Sequence, residues 1–234
     1  MILEIATLKA LENAIPQQAL IVLDIDNTLI EADSYLGSEA WESYYRNKLL
    51  QEGLDFPTAA LYSEELWHTL QNHIAVRALE KEGPSILSRW QQKHTVVGLT
   101  KRRYSIKKAT LSQLRQTGYR LQETKGFPVD KQASAGTAGG IIFCGHLSKS
   151  EALQRFITPS AKNYPAIIAV DDRQDNLDDL AGVFGSRLTG FRITICDNQA
   201  ACFDGPAAEA QLQALKNRLS KINSLQKHLK NKLF

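Results

Sequence analysis

Along this chain, short unbroken apolar runs alternate with stretches of helical spacing, and the alternation outlines an α/β fold. Ile5, Leu8, Leu11 and Ile15 predict a short leading helix over residues 5–15, closed by Pro16. Ala19–Asp24 reads as the first strand, and its continuous apolar run predicts a parallel sheet covered on both faces. From 34 to 93 the spacing turns helical, with helices predicted over Ser38–Leu50, Ser63–Leu79 and Pro84–Gln92. Gly53–Pro57 and Gly83-Pro84 separate them. Strands are then predicted at Thr95–Leu99, Tyr119–Gln122, Ile141–Cys144, Ala166–Val170 and Leu188–Cys196. The helices between them cover Ile106–Gln116, Glu151–Phe156 and Leu177–Val183, with Gly118 as a stop. The Gly-, Ala- and Ser-rich segment 126–140 is expected to be a loop or irregular hairpin. Such alternation implies a three-layer, doubly wound, Rossmann-like parallel sheet, whose ligands gather at the carboxyl ends of the strands.

Composition narrows the class without naming a chemistry. At 234 residues, 43% hydrophobic and 23% charged, the chain is an ordinary globular protein, and its net charge of +3 supplies no field for nucleic acid or anionic lipid. No apolar run approaches the ~18 residues of a membrane span. Glu4, Lys9 and Glu12 break up the apolar start of the chain, so no secretory signal is read there. Cys144, Cys196 and Cys202 form no metal-type pair and are expected to be buried thiols in a reducing compartment. The expected location is therefore the cytoplasm, although specialised export would leave no such mark.

The chemistry lies where the first strand ends. The run Ile21-Val22-Leu23-Asp24-Ile25-Asp26-Asn27-Thr28-Leu29-Ile30 places two carboxylates at the tip of a buried strand. That is costly unless a cation or a reacting group stands between them. Further along, Val96-Val97-Gly98-Leu99 ends in the hydroxyl of Thr100, and Lys149 opens a helix. The strand Ala166–Val170 ends in Asp171-Asp172, followed by Asn176. Ser148-Lys149-Ser150-Glu151 is a capping box, so Lys149 sits in a first turn where the helix dipole favours an anion rather than a lysine. Asp175, Asp178 and Asp179 are read as helix-start charges.

Asp-x-Asp-x-Thr-Leu, with Thr100, Lys149 and Asp171-Asp172 following in order, resembles the motif set of the haloacid dehalogenase (HAD) superfamily over roughly residues 5–200. Together with Gly37-Ser38-Glu39-Ala40-Trp41, it resembles a group of uncharacterised bacterial HAD-like proteins filed as a domain of unknown function. The resemblance implies a Mg²⁺-dependent phosphatase of phosphomonoesters working through an aspartyl-phosphate on Asp24. In it Asp26 is the general acid and base, and Thr100 and Lys149 hold the phosphoryl oxygens. Asn27 and Thr28 complete the implied substrate-binding set. The implied metal ligands are Asp24, the main-chain carbonyl of Asp26, and Asp172 in preference to its neighbour Asp171, with Asn176 steadying the acidic loop.

The implied layout is a HAD-like α/β core over 1–33 and 94–205, a helical cap insert over 34–93, and a C-terminal amphipathic helix over 206–234. All three tryptophans (Trp41, Trp67, Trp90) fall in the insert, where Trp41, Tyr44 and Tyr45 are read as core ahead of substrate contacts. Lys101-Arg102-Arg103, with Lys107 and Lys108, is read as the solvated start of a helix rather than a second phosphate site. Leu212, Leu215, Leu219, Ile222, Leu225 and Leu229 make an apolar stripe suited to docking within the chain or to a homodimer. The expected partner is a small phosphorylated substrate. The competing readings are an idle HAD scaffold that binds proteins, and a phosphatase of phosphoproteins or nucleic-acid ends.

Overall fold

The computed structural model describes residues 1–12, 14–158, 164–198 and 200–219. The strands are β1 (Ile2–Ile5), β2 (Leu20–Leu23), β3 (Ile30–Ala32), β4 (Val76–Ala78), β5 (Thr95–Thr100), β6 (Gly136–Ala138), β7 (Ile141–Phe143), β8 (Ile167–Asp171) and β9 (Leu188–Ile193). The α-helices are α1 (Glu39–Gln51), α2 (Phe56–Leu70), α3 (Gly83–Gln91), α4 (Lys107–Gln116), α5 (Lys149–Ile157), α6 (Gln174–Phe184) and α7 (Gly205–Arg218).

Seven strands form one sheet in the order β1-β9-β8-β2-β5-β7-β6, parallel throughout except for the β6–β7 hairpin. Every residue of β2 and β8 is buried, as central strands covered on both faces must be. The hairpin turns on Gly139 and Gly140, whose φ angles of 57° and 73° suit the primed turn that matches strand twist. From β2 the chain builds outward through β5 and β7, then returns to lay β8 and β9 on the other side of β2. The strand order thus reverses between β2 and β8, and the carboxyl ends of those two strands define the crevice where such sheets bind ligands.

The chain divides into two compact units: residues 1–31 with 77–197, and residues 32–76 with 198–234. The first unit holds the seven-stranded sheet. In it α3 lays Ile86, Leu87 and Trp90 inward and packs on β5, so Trp90 belongs to the sheet's core rather than to a separate insert. The second unit has a small core of Leu49, Ala59 and Tyr62 between α1 and α2, with Tyr45, Leu50 and Leu54 against it. Trp41 is buried and stacks on Tyr45 with ring centroids 5.3 Å apart, so those aromatics fill the interior of the unit. Within the same unit α7 docks on α1: Tyr44 Oη and Lys48 Nζ both donate to Glu209 Oε1, at 2.8 and 2.5 Å. The stripe residues Ile222, Leu225 and Leu229 lie outside the described residues.

Three predicted elements differ. The leading residues form the edge strand β1, paired with β9, and only Leu8–Leu11 is helical, as a 3₁₀ turn. Tyr119–Gln122 is not a strand, because both edges of β5 are already taken, by β2 and β7. α2 begins seven residues earlier than Ser63, since Asp55 accepts from Thr58 N as N-cap and Pro57 fits the first turn. It ends at Leu70, and the predicted continuation to Leu79 becomes β4, paired with β3. Among the described residues no helix is long and apolar enough to cross a membrane.

Candidate active site

In the parallel pairing of β2 with β8, Leu23 lies beside Val170, and Asp24 N donates to Val170 O at 2.9 Å. One step further along, Asp24 and Asp171 leave their strands side by side, with Asp172 next in line. One carboxylate oxygen from each of Asp24, Asp171 and Asp172 lies within 4.8 Å of the others. Two stretches of chain more than a hundred residues apart therefore deliver three acids to the crevice at the topological reversal.

One cation stands among them. Lys149 Nζ lies 2.7 Å from Asp24 Oδ1 and 2.5 Å from Asp171 Oδ2, with its side chain almost wholly buried. Burial alone would push this ammonium's pKa down, but Asp171 and Asp24 override it and hold the pKa above the ordinary lysine value. The lysine is placed by the first turn of α5, where the Ser148–Glu151 capping box forms in full. Asp179 of α6 braces the same turn, accepting from Ser150 N at 2.8 Å and from Ser150 Oγ at 2.7 Å. Asp179 is thus more than a helix-start charge.

The two neighbouring acids after β8 are not equivalent. Asp171 uses both oxygens: Oδ2 on Lys149, and Oδ1 on Arg173 N and Asn176 Nδ2, each at 3.0 Å. Asp172 Oδ2 accepts from Asn27 Nδ2 at 3.3 Å, whereas Oδ1 is buried and has no hydrogen-bond partner. Burial first, then the charge of Asp171, pushes the Asp172 carboxyl up to about 6. Burial likewise raises Asp24 well above the usual carboxylate range; Lys149 opposes this, and Asp171, Asp172 and Asp26 add to it. Three carboxylates facing one ammonium, with one buried oxygen orphaned, fit a hard divalent cation of the Mg²⁺ class, and the donors are all oxygen.

Thr100 ends β5, buried, and its Oγ1 accepts from Arg102 N at 3.2 Å. Asn27 has a left-handed backbone (φ 54°), a conformation asparagine tolerates better than most residues, and its amide ties the loop after β2 to Asp172. Thr28 is fully buried, and its hydroxyl has no hydrogen-bond partner.

The basic run after Thr100 departs from expectation. Lys101 and Lys108 are exposed, but Arg102 and Arg103 are buried. Arg102 Nε and Nη2 each donate to a different oxygen of Asp26, both at 2.8 Å. Its Nη1 donates to Thr110 Oγ1 at 3.1 Å and to Gln113 Oε1 at 2.6 Å, both on α4. The buried face of α4 carries Ala109, Thr110, Gln113 and Leu114. Two polar side chains at a spacing of three on that face were the available signal that a buried polar partner lay opposite. Of the cysteines, Cys144 and Cys196 are buried as expected, but Cys202 is exposed.

A family model described as "Protein of unknown function (DUF2608)" matches residues 4–225. A Chlamydia pneumoniae protein named "Putative outer membrane protein" is 23% identical over 205 residues, covering 86% of this chain and 78% of that protein. Among solved structures, a "putative haloacid dehalogenase-like hydrolase" from Burkholderia xenovorans aligns with a TM-score of 0.47 at 14% identity, over 82% of this chain and 91% of the other. A "had family enzyme" from Bacteroides thetaiotaomicron aligns with a TM-score of 0.45 at 9% identity, over 81% of this chain and 100% of that one.

Proposed function

The chain belongs to the DUF2608 family, and from its site we propose that it is a Mg²⁺-dependent phosphatase of small phosphomonoesters. One observation carries this reading: a buried lysine bridges Asp24 and Asp171, and the neighbouring Asp172, which keeps a buried oxygen without a hydrogen-bond partner, belongs to the same cluster. A structural ion pair would need only one acid, and a surface for binding proteins would need none of them buried.

Asp24 is the nucleophile. Its carboxylate forms a bond to phosphorus as the bond from phosphorus to the ester oxygen breaks, giving an aspartyl-phosphate. Asp26 gives a proton to the departing alkoxide, then takes one from the water that attacks phosphorus and releases Asp24. Lys149 offsets the charge that gathers on the phosphoryl oxygens and on Asp24. The Thr100 hydroxyl, at the tip of the adjacent strand, holds one of those oxygens. Asp24, the main-chain carbonyl of Asp26 and Asp172 would hold the divalent ion, which when bound lowers the repulsion between nucleophile and phosphate. Asp171 stays with Lys149, and Asn176 holds it there.

The test is hydrolysis of p-nitrophenyl phosphate by the full chain with added Mg²⁺. Wild type is expected to turn over, and Asp24→Asn to lose activity by at least about a thousandfold. Robust turnover by Asp24→Asn overturns the mechanism.

A further inference from the structure

Asp26 lies in an irregular loop, where the chain closes a single bridge from Asp26 to Ile30 and Asn27 takes a left-handed backbone. Loop carboxylates ordinarily sample several rotamers, whereas a proton donor works only when aimed. In this protein the aiming is done from another element. We propose that Arg102 is a positioning residue that clamps the plane of the Asp26 carboxyl so that it addresses the leaving-group oxygen; this rests on the phosphatase reading above.

The guanidinium is itself fixed before it meets Asp26. Thr110 and Gln113 hold Nη1 on the rigid face of α4, so the fork of Nε and Nη2 has one orientation to offer. Two parallel N–H···O bonds at 2.8 Å then set both the position and the plane of the carboxylate. Each Asp26 oxygen gives one lone pair to the clamp and keeps another. The side chain is 20% exposed, against 1% for Arg102, so its outer edge remains open to a reacting group. A purely structural ion pair would explain the burial of Arg102 but not the need for a fork, since apolar packing stabilises a buried site equally well. Lysine cannot replace the clamp, because a point charge does not define a plane.

The experiment separates aiming from folding through the leaving group. p-Nitrophenolate departs with little help from a proton, whereas a simple alkoxide needs one. kcat/KM, which covers the steps up to phosphoenzyme formation, is measured with Mg²⁺ for p-nitrophenyl phosphate and for an alkyl phosphate. Wild type, Arg102→Lys, Arg102→Gln and Thr110→Val are compared. The clamp predicts that Arg102→Lys and Arg102→Gln lose about a hundredfold or more on the alkyl ester, less than about tenfold on the nitrophenyl ester, with the loss in kcat rather than KM. Thr110→Val removes one anchor of the fork and shifts the ratio the same way by a smaller factor, which keeps the test alive if Arg102→Gln fails to fold. Equal losses on both esters, or none, overturn the clamp alone. A wild-type chain inactive on both esters overturns the phosphatase reading and the clamp with it.

Discussion

Asp172→Asn ought to make this protein more stable, and only under conditions the site itself dictates. The Asp172 carboxyl is pushed up to about 6 by burial and by Asp171, with Lys149 and Asn27 only partly opposing. In the unfolded chain the same group titrates near 3.8. The native state therefore holds this proton more tightly, so the group's contribution to stability is full below about pH 4 and is lost as pH rises through about 6. At 1.36 kcal/mol for each pH unit, keeping the acid ionised at pH 8 costs about 3 kcal/mol at most. Asparagine never ionises, and its side-chain oxygen can still accept from Asn27. In EDTA the variant and wild type should unfold together near pH 4. At pH 8 the variant should gain up to about 3 kcal/mol, or about 2–4 °C in Tm for each kcal/mol. Mg²⁺ should close most of that gap: at a hundredfold over its Kd it adds about 2.7 kcal/mol to wild type and not to the variant. Thermal unfolding followed by circular dichroism at pH 4 and pH 8, with EDTA or Mg²⁺, reads all four cases. A variant that shifts Tm equally at both pH values, or that Mg²⁺ stabilises as much as wild type, refutes the reasoning.

Lys149→Met leaves Asp24 and Asp171 facing each other without their ammonium, so urea unfolding at pH 8 should show a loss of about 3–5 kcal/mol. The loss should shrink towards pH 4 as the Asp24 carboxyl, raised by burial, takes up a proton, and a pH-independent loss would contradict the pairing. Ser148→Ala removes one half of the capping box that starts α5 and should cost about 1 kcal/mol in the same assay. Its kcat should fall as well, because Lys149 is the first residue of that helix. Burial pushes the Cys144 thiol up to about 12, whereas Cys202 is exposed. Iodoacetamide on the native protein should label Cys202 promptly and Cys144 only after denaturant, as read by mass spectrometry; fast native labelling of Cys144 would count against its burial.

Much of the site was readable from local signals. An apolar run that stops at paired acids marks a central strand and its business end, because burial makes such charges costly anywhere else. That logic placed Asp24 at the tip of β2 and Asp171-Asp172 at the tip of β8. The Ser148–Glu151 box marked the start of α5 to the residue, since a cap is a contact within four residues. Elsewhere local signals were misread. Asp55 and Pro57 looked like a break and instead start α2.

The amino-acid sequence alone determined the doubly wound sheet and the acids at the ends of its central strands, because period, capping and paired charge are local properties. Tertiary structure decided how those residues divide their work. Asp171 and Asp172 are identical side chains on adjacent positions. Their partners differ: Asp171 meets Lys149 and Asn176, while Asp172, just past the end of β8, takes Asn27 and keeps one oxygen without a partner. Arg102 looks in the sequence like one of several solvated basic residues. Only the approach of α4 to the loop after β2, 76 positions away, buries it against Asp26. A charge's environment is set by whatever the fold brings beside it, and the residues next to it in the chain do not carry that information.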